Sequence, residues 1–132
     1  MINQFIDVEN MIQGFDKQTA PLNDYERDTL LPLIVRGLET KIGAARVITG
    51  STIIRKMRAL GYKLDGPRLR KIINHIRANS LVSCLVSTSA GYYVATSAAE
   101  VDECIASLKG RVSAIQANID ALQQQRAGKF SN

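Results

Sequence analysis

Tryptophan is missing from this 132-residue sequence, which also has only one histidine, His75, and two cysteines, Cys84 and Cys104. Two cysteines make neither a disulfide framework nor a zinc cluster, and they suit a reducing cytoplasm. Any Ser-His-Asp or Cys-His arrangement would have to use His75, which reads instead as a surface residue. No glycine-rich phosphate loop of the Walker or Rossmann pattern occurs. No apolar run approaches the ~18–20 residues of a membrane span. The start, Met1-Ile2-Asn3-Gln4-Phe5, lacks the basic region of a signal peptide. The carboxylates of the first 45 residues are scattered over polar faces and suggest no acid–base pair. These shortages exclude most enzyme classes. They lead us to expect a non-enzymatic protein with no cofactor, no metal and no membrane partner.

Basic residues are plentiful, and they are not spread evenly. Residues 1–45 carry a net charge of −3, residues 46–80 a net of +8, and residues 81–132 a net of zero. The basic block consists of Arg46, Arg55, Lys56, Arg58, Lys63, Arg68, Arg70, Lys71 and Arg77, against the single acid Asp65. Such a block inside a patterned segment is the electrostatic footprint of a partner with a phosphate backbone. A solvated helical face is the plainer alternative.

The apolar pattern divides the chain into short elements. Phe5, Val8, Ile12 and Phe15 fall at helical spacing, but Gly14 and the polar stretch after it weaken that reading, so residues 1–20 are either a strap over the core or a loose tail. A helix capped at Asn23 or Asp24 should continue through Leu30, Leu31, Leu33, Ile34 and Leu38, kink or restart at Pro32, and end at Gly43. Arg46-Val47-Ile48 reads as a short extended stretch. Thr49 or Ser51 caps a second helix with Ile53, Ile54, Met57 and Leu60 inward, stopped by Gly61. Asp65 caps a third helix over 66–79, with Pro67 in its first turn and Leu69, Ile72, Ile73 and Ile76 as its buried stripe. Leu81–Val86 and Tyr92–Ala95 read as the strands of a hairpin around Ser87–Ala90, with Cys84 buried in the first strand. Ser97 caps a long helix to about Ala127, closed by Gly128, and residues 128–132 form a tail.

Helix, short extended piece, helix, turn, helix and hairpin is the order of a winged helix-turn-helix, here over residues 21–96. The expected fold class is therefore mainly α with a small β-hairpin wing and a long C-terminal helix over 97–127. Residues 49–94 resemble the N-terminal DNA-binding domain of biotin-operon repressors, and more closely the small winged-helix proteins of phages and prophages. The residues that carry the likeness are Ile48-Thr49-Gly50, the run Arg68-Leu69-Arg70-Lys71-Ile72-Ile73-Asn74-His75-Ile76-Arg77, and Gly91-Tyr92-Tyr93-Val94. The resemblance implies a double-stranded DNA partner, a role in transcription regulation or phage DNA replication, and a cytoplasmic site of action in a bacterial cell or phage-infected host. A protein-interaction adaptor built on the same scaffold is the alternative.

A helical wheel of the third helix at ~100° per residue puts Pro67, Lys71, Asn74 and Ala78 opposite the buried stripe, with Arg70 and His75 beside them. Lys71 would donate to guanine, Asn74 would pair with adenine, and Arg70 could do either; Pro67 allows close approach. Arg55, Lys56, Arg58, Lys63, Arg68, His75 and Arg77 are the expected phosphate contacts, which position without specifying. The wing tip, with Ser87, Thr88 and Ser89, carries no Lys or Arg and offers hydroxyl hydrogen bonds only.

In the last helix, Val101, Ile105, Leu108, Val112, Ile115, Ile119 and Leu122 recur at alternating spacings of four and three, a heptad seam. The a positions (Ile105, Val112, Ile119) are all β-branched, which in parallel coils favours two strands and so a homodimer. Flanking positions are mostly uncharged (Gln116, Asn118, Gln123, Gln125), which leaves strand orientation open. Alternatively, the seam packs on the chain's own first helix or N-terminal segment.

Overall fold

A computed structural model of the chain describes residues 20–130, and its first helical run begins at a capping box. The Asn23 side-chain oxygen accepts from the Glu26 amide at 2.9 Å, and the Glu26 carboxylate accepts from the Asn23 amide at 2.9 Å. A π-helical turn, Glu26–Leu30, leads into α1, Leu31–Glu39. The register change explains how Pro32 is tolerated in the first turn of α1. In an unbroken α-helix its ring would meet the carbonyl four residues back. Instead, the Leu31 amide reaches five residues back, to the Glu26 carbonyl. The expected helix end at Gly43 is corrected: α1 stops at Glu39, and Gly43, at φ +90°, opens a 3₁₀ turn, Ala44–Arg46. Arg46 is thus helical, not extended.

Thr49 caps α2, Gly50–Ala59, by accepting from the Thr52 amide at 3.1 Å. Gly61, at φ +90°, closes α2 in a Schellman turn: the Tyr62 amide donates to Met57 O, and the Gly61 amide to Arg58 O. Asp65 caps α3, Gly66–Ala78, through the Arg68 amide at 2.9 Å. Leu69, Ile72, Ile73 and Ile76 of α3 are buried, as their spacing predicts, and pack in one core with Leu30, Ile34, Leu38, Ile53, Met57, Leu64, Val82 and Leu85. Each fully buried side chain of this size contributes about 1.5–3 kcal/mol.

The hairpin is shifted from its expected position. Strand β1 is Leu85–Thr88 and β2 is Gly91–Val94, paired antiparallel from Leu85↔Val94 to Thr88↔Gly91. Ser87 and Thr88 therefore belong to the strand, and only Ser89 and Ala90 form the tip. Leu81–Cys84 is not strand, because α3 ends in a second Schellman turn closed by Ser80 at φ +53°: Leu81 N donates to Ile76 O, and Ser80 N to Arg77 O. Cys84 is also left-handed, at φ +57°, and is exposed rather than buried. The other edge of β2 is taken by the loop before α2, with Ile48↔Tyr92 antiparallel and Ile42↔Val94 parallel. Gly91 makes that approach possible, since a Cβ there would stand 2.3 Å from the Ile48 carbonyl oxygen.

The chain divides into two compact units at Thr96–Ser97. The second is built on α4, Ala98–Lys129, capped by the Ser97 hydroxyl, which accepts from the Glu100 amide at 3.3 Å. This helix does not stop at Gly128 but runs through it, as it does through Gly110. The expected strap over residues 1–20 falls, but for Ala20, outside the described residues, as do the last two residues of the tail.

Candidate nucleic-acid interface

The α3 stripe fixes which side chains of that helix can face a partner. Arg70, Asn74 and Ala78 are exposed at spacings of four, and Pro67 is half-buried in the first turn. The Arg70 guanidinium lies back along the helix, its Nη1 3.2 Å from where a Cβ on Gly66 would stand.

Lys71 is not part of this outward row. Its ammonium donates to the Glu26 carboxylate at 2.6 Å, and its side chain is only 11% exposed. Arg68 Nε donates to the other oxygen of the same carboxylate at 2.9 Å. Glu26 is 3% exposed. Burial pushes its pKa up, but hydrogen bonds from Lys71, the Asn23 amide and Arg68, with the charge of Lys71, more than offset this and hold it below the ordinary glutamate value. One acid from the first helical run thus engages two of the nine basic residues counted in the block, Lys71 through its ammonium and Arg68 through Nε alone. The base-reading role expected of Lys71 is corrected on this ground: withdrawing it would leave a buried carboxylate short of a partner.

Arg77 is corrected as well. Its Nε donates to the Leu85 carbonyl at 2.9 Å and its Nη2 is buried without a hydrogen-bond partner, so the guanidinium braces the start of β1. His75 is half-buried. With Lys71, Asn74, Ala78 and Asn79 it lines a cavity of about 400 Å³ whose remaining wall is Ala20, Pro21 and Leu22. The chain entering the first helix therefore runs beside the outward face of α3. The wheel could not show this, because it places residues only relative to their own helix.

The other basic residues sit before α3. Arg55, Lys56 and Arg58 are exposed on α2, and Lys63 is exposed in the α2–α3 turn. Arg55 and Lys56 have no hydrogen-bond partner among the described residues. The hairpin tip is polar and uncharged: the Thr88 hydroxyl accepts from the Ala90 amide at 3.1 Å, and Ser89 is exposed.

On α4, Ile105, Leu108, Val112, Ile115, Ile119 and Leu122 are each between 39% and 65% exposed, and Val101 is half-buried. Among the described residues, no group of three metal-ligating side chains forms, and no helix is long and apolar enough to cross a membrane. Comparison with protein-family models, with curated proteins and with solved structures finds no match.

Proposed function

We propose that the protein binds double-stranded DNA through its first unit and pairs with a second copy through α4. The observation that carries the DNA reading is the concentration of exposed cations on one helix-turn-helix: Arg55, Lys56 and Arg58 on α2, Lys63 in the turn, and Arg70 on α3. A winged-helix mode follows, with Asn74 and Arg70 meeting base edges and the α2 cations meeting phosphates. The uncharged tip leaves the hairpin to hydroxyl contacts. Such a protein acts in transcription regulation or phage DNA replication, in the cytoplasm of a bacterial or phage-infected cell.

Four or five neutralised phosphates give a slope of log affinity against log salt of about −4. Gel shifts across a salt series measure it. Failure to bind any duplex at low salt would overturn the DNA reading and favour a protein-interaction adaptor.

A further inference from the structure

We infer that the α2–α3 turn is a preformed seat for one phosphate group, a reading that sharpens the proposed DNA contact and can be tested without DNA. Arg58 leaves the last turn of α2, Arg68 leaves the first turn of α3, and both are anchored to the loop between them. Arg58 Nε donates to the Leu64 carbonyl at 2.8 Å, and Arg68 Nη1 donates to the Lys63 carbonyl at 3.0 Å. Arg68 is held further by Glu26, and its guanidinium lies 5.4 Å from the centre of the Tyr25 ring. The Tyr25 hydroxyl in turn accepts from the Lys63 amide at 2.9 Å, which fixes the loop itself.

Among the described residues these anchors leave specific donors unspent: both Nη groups of Arg58, Nη2 of Arg68 and the ammonium of Lys63. The three side chains line one cavity of about 310 Å³, together with Tyr62, Leu64 and Asp65. Asp65, the acid in that wall, is engaged as the α3 cap through the Arg68 amide. Glu26 does not cancel Arg68, because it is shared with Lys71. What remains is a concave surface of net positive charge with forked donors on two sides and an ammonium on a third. A tetrahedral oxyanion has acceptors in as many directions, whereas a planar carboxylate would meet only one fork well. Since the guanidiniums are already oriented, binding does not have to order them. Arg55 and Lys56 have no such anchors.

The phosphate could come from a DNA backbone or from a free phosphorylated molecule. The test is an amide NMR titration of the full chain with inorganic phosphate at constant ionic strength. We expect saturable shifts centred on Lys63, Leu64 and Arg68, weakened at least three-fold in Lys63→Gln and in Arg58→Lys, with folding unchanged in Lys63→Gln. Shifts that do not saturate, that chloride reproduces, or that Lys63→Gln leaves unaltered would overturn the seat. A second titration with a duplex separates the sources. Movement of the same amides, reversed by added phosphate, assigns the seat to the DNA backbone. A phosphate-saturable site that a duplex does not touch assigns it to a free phosphorylated ligand, and the seat then stands apart from any DNA contact made by the rest of α2 and α3.

Discussion

Glu26 shows how one side chain reapportions a charged surface. It joins the start of the first helical run to α3 through Lys71 and Arg68. Breaking a buried ion pair from one side typically costs about 3–5 kcal/mol, because the other charge stays behind unpaired. Glu26→Gln should cost somewhat less, since the amide oxygen still accepts one hydrogen bond, and denaturant unfolding will read it. Lys71→Ala should likewise lower stability for every measurement, rather than lower specificity at one base. The pH dependence follows from the depressed pKa of Glu26. The ionised form is favoured in the folded state, so its stabilisation is complete above the unfolded value of about 4.3 and is lost as pH falls through the lower folded value. Melting temperatures measured from pH 6 to pH 3 should fall less steeply in Glu26→Gln than in the parent; parallel curves would refute the assignment. Ser80 supplies a prediction of opposite sign. It holds a left-handed conformation at the end of α3, which costs an L-residue about 1–2 kcal/mol, part of which glycine gives back as unfolded-state entropy. Ser80→Gly should therefore stabilise by about 0.5–1 kcal/mol in the same assay.

At the scale of elements, what the sequence reveals is what is local. The caps at Thr49, Asp65 and Ser97 each bond an amide three residues on, and the α3 stripe depends only on its own period, so all are legible from composition and spacing. The start of β1 is not. The turn after α3 is closed by a serine where glycine would be the signal, and Leu81–Cys84 has the apolar, β-branched look of a strand. The partner of Lys71 lies 45 residues away and those of the β2 edge lie in a loop, so neither pairing leaves a trace in any window of sequence. Asn74 remains the clearest test of α3 as a reader. Asn74→Ala should weaken binding to a selected site by about 1–3 kcal/mol while sparing random duplex, and Arg55→Ala should weaken both alike. Equal losses on all sequences would mean that α3 contributes charge but no reading. Gly91 governs how closely β2 meets the loop before α2. Gly91→Ala brings a Cβ against the Ile48 carbonyl, so it should part β2 from that loop and cost about 2 kcal/mol or more, seen as faster amide exchange at Ile48 and Tyr92.

For the whole molecule the question is what covers the seam of α4. A helix standing by itself is only marginally stable in water, and most helices owe their stability to the burial of one apolar face. The α4 helix has 32 residues, and its apolar positions recur every 3.5 residues from Val101 to Leu122. A straight α-helix drifts about 20° per heptad against that repeat, so the stripe stays in register only with a partner helix that supercoils with it. A second copy of α4 offers the same repeat and the same β-branched a layer. Pairing also serves the proposed function. One α3 helix offers too few base contacts, at about 1–3 kcal/mol each, to stand out among the competing sites of a genome, and two joined copies double the discrimination. Ile115→Glu puts a charge in the middle of the seam, where the dimer would have to bury it unpaired. Sedimentation equilibrium should show a dimeric parent and a monomeric variant, with the thermal unfolding of the first unit preserved and site-specific DNA binding much reduced. A parent that is monomeric at micromolar concentration, or a variant whose first unit unfolds, would instead mean that the seam is covered from within its own chain.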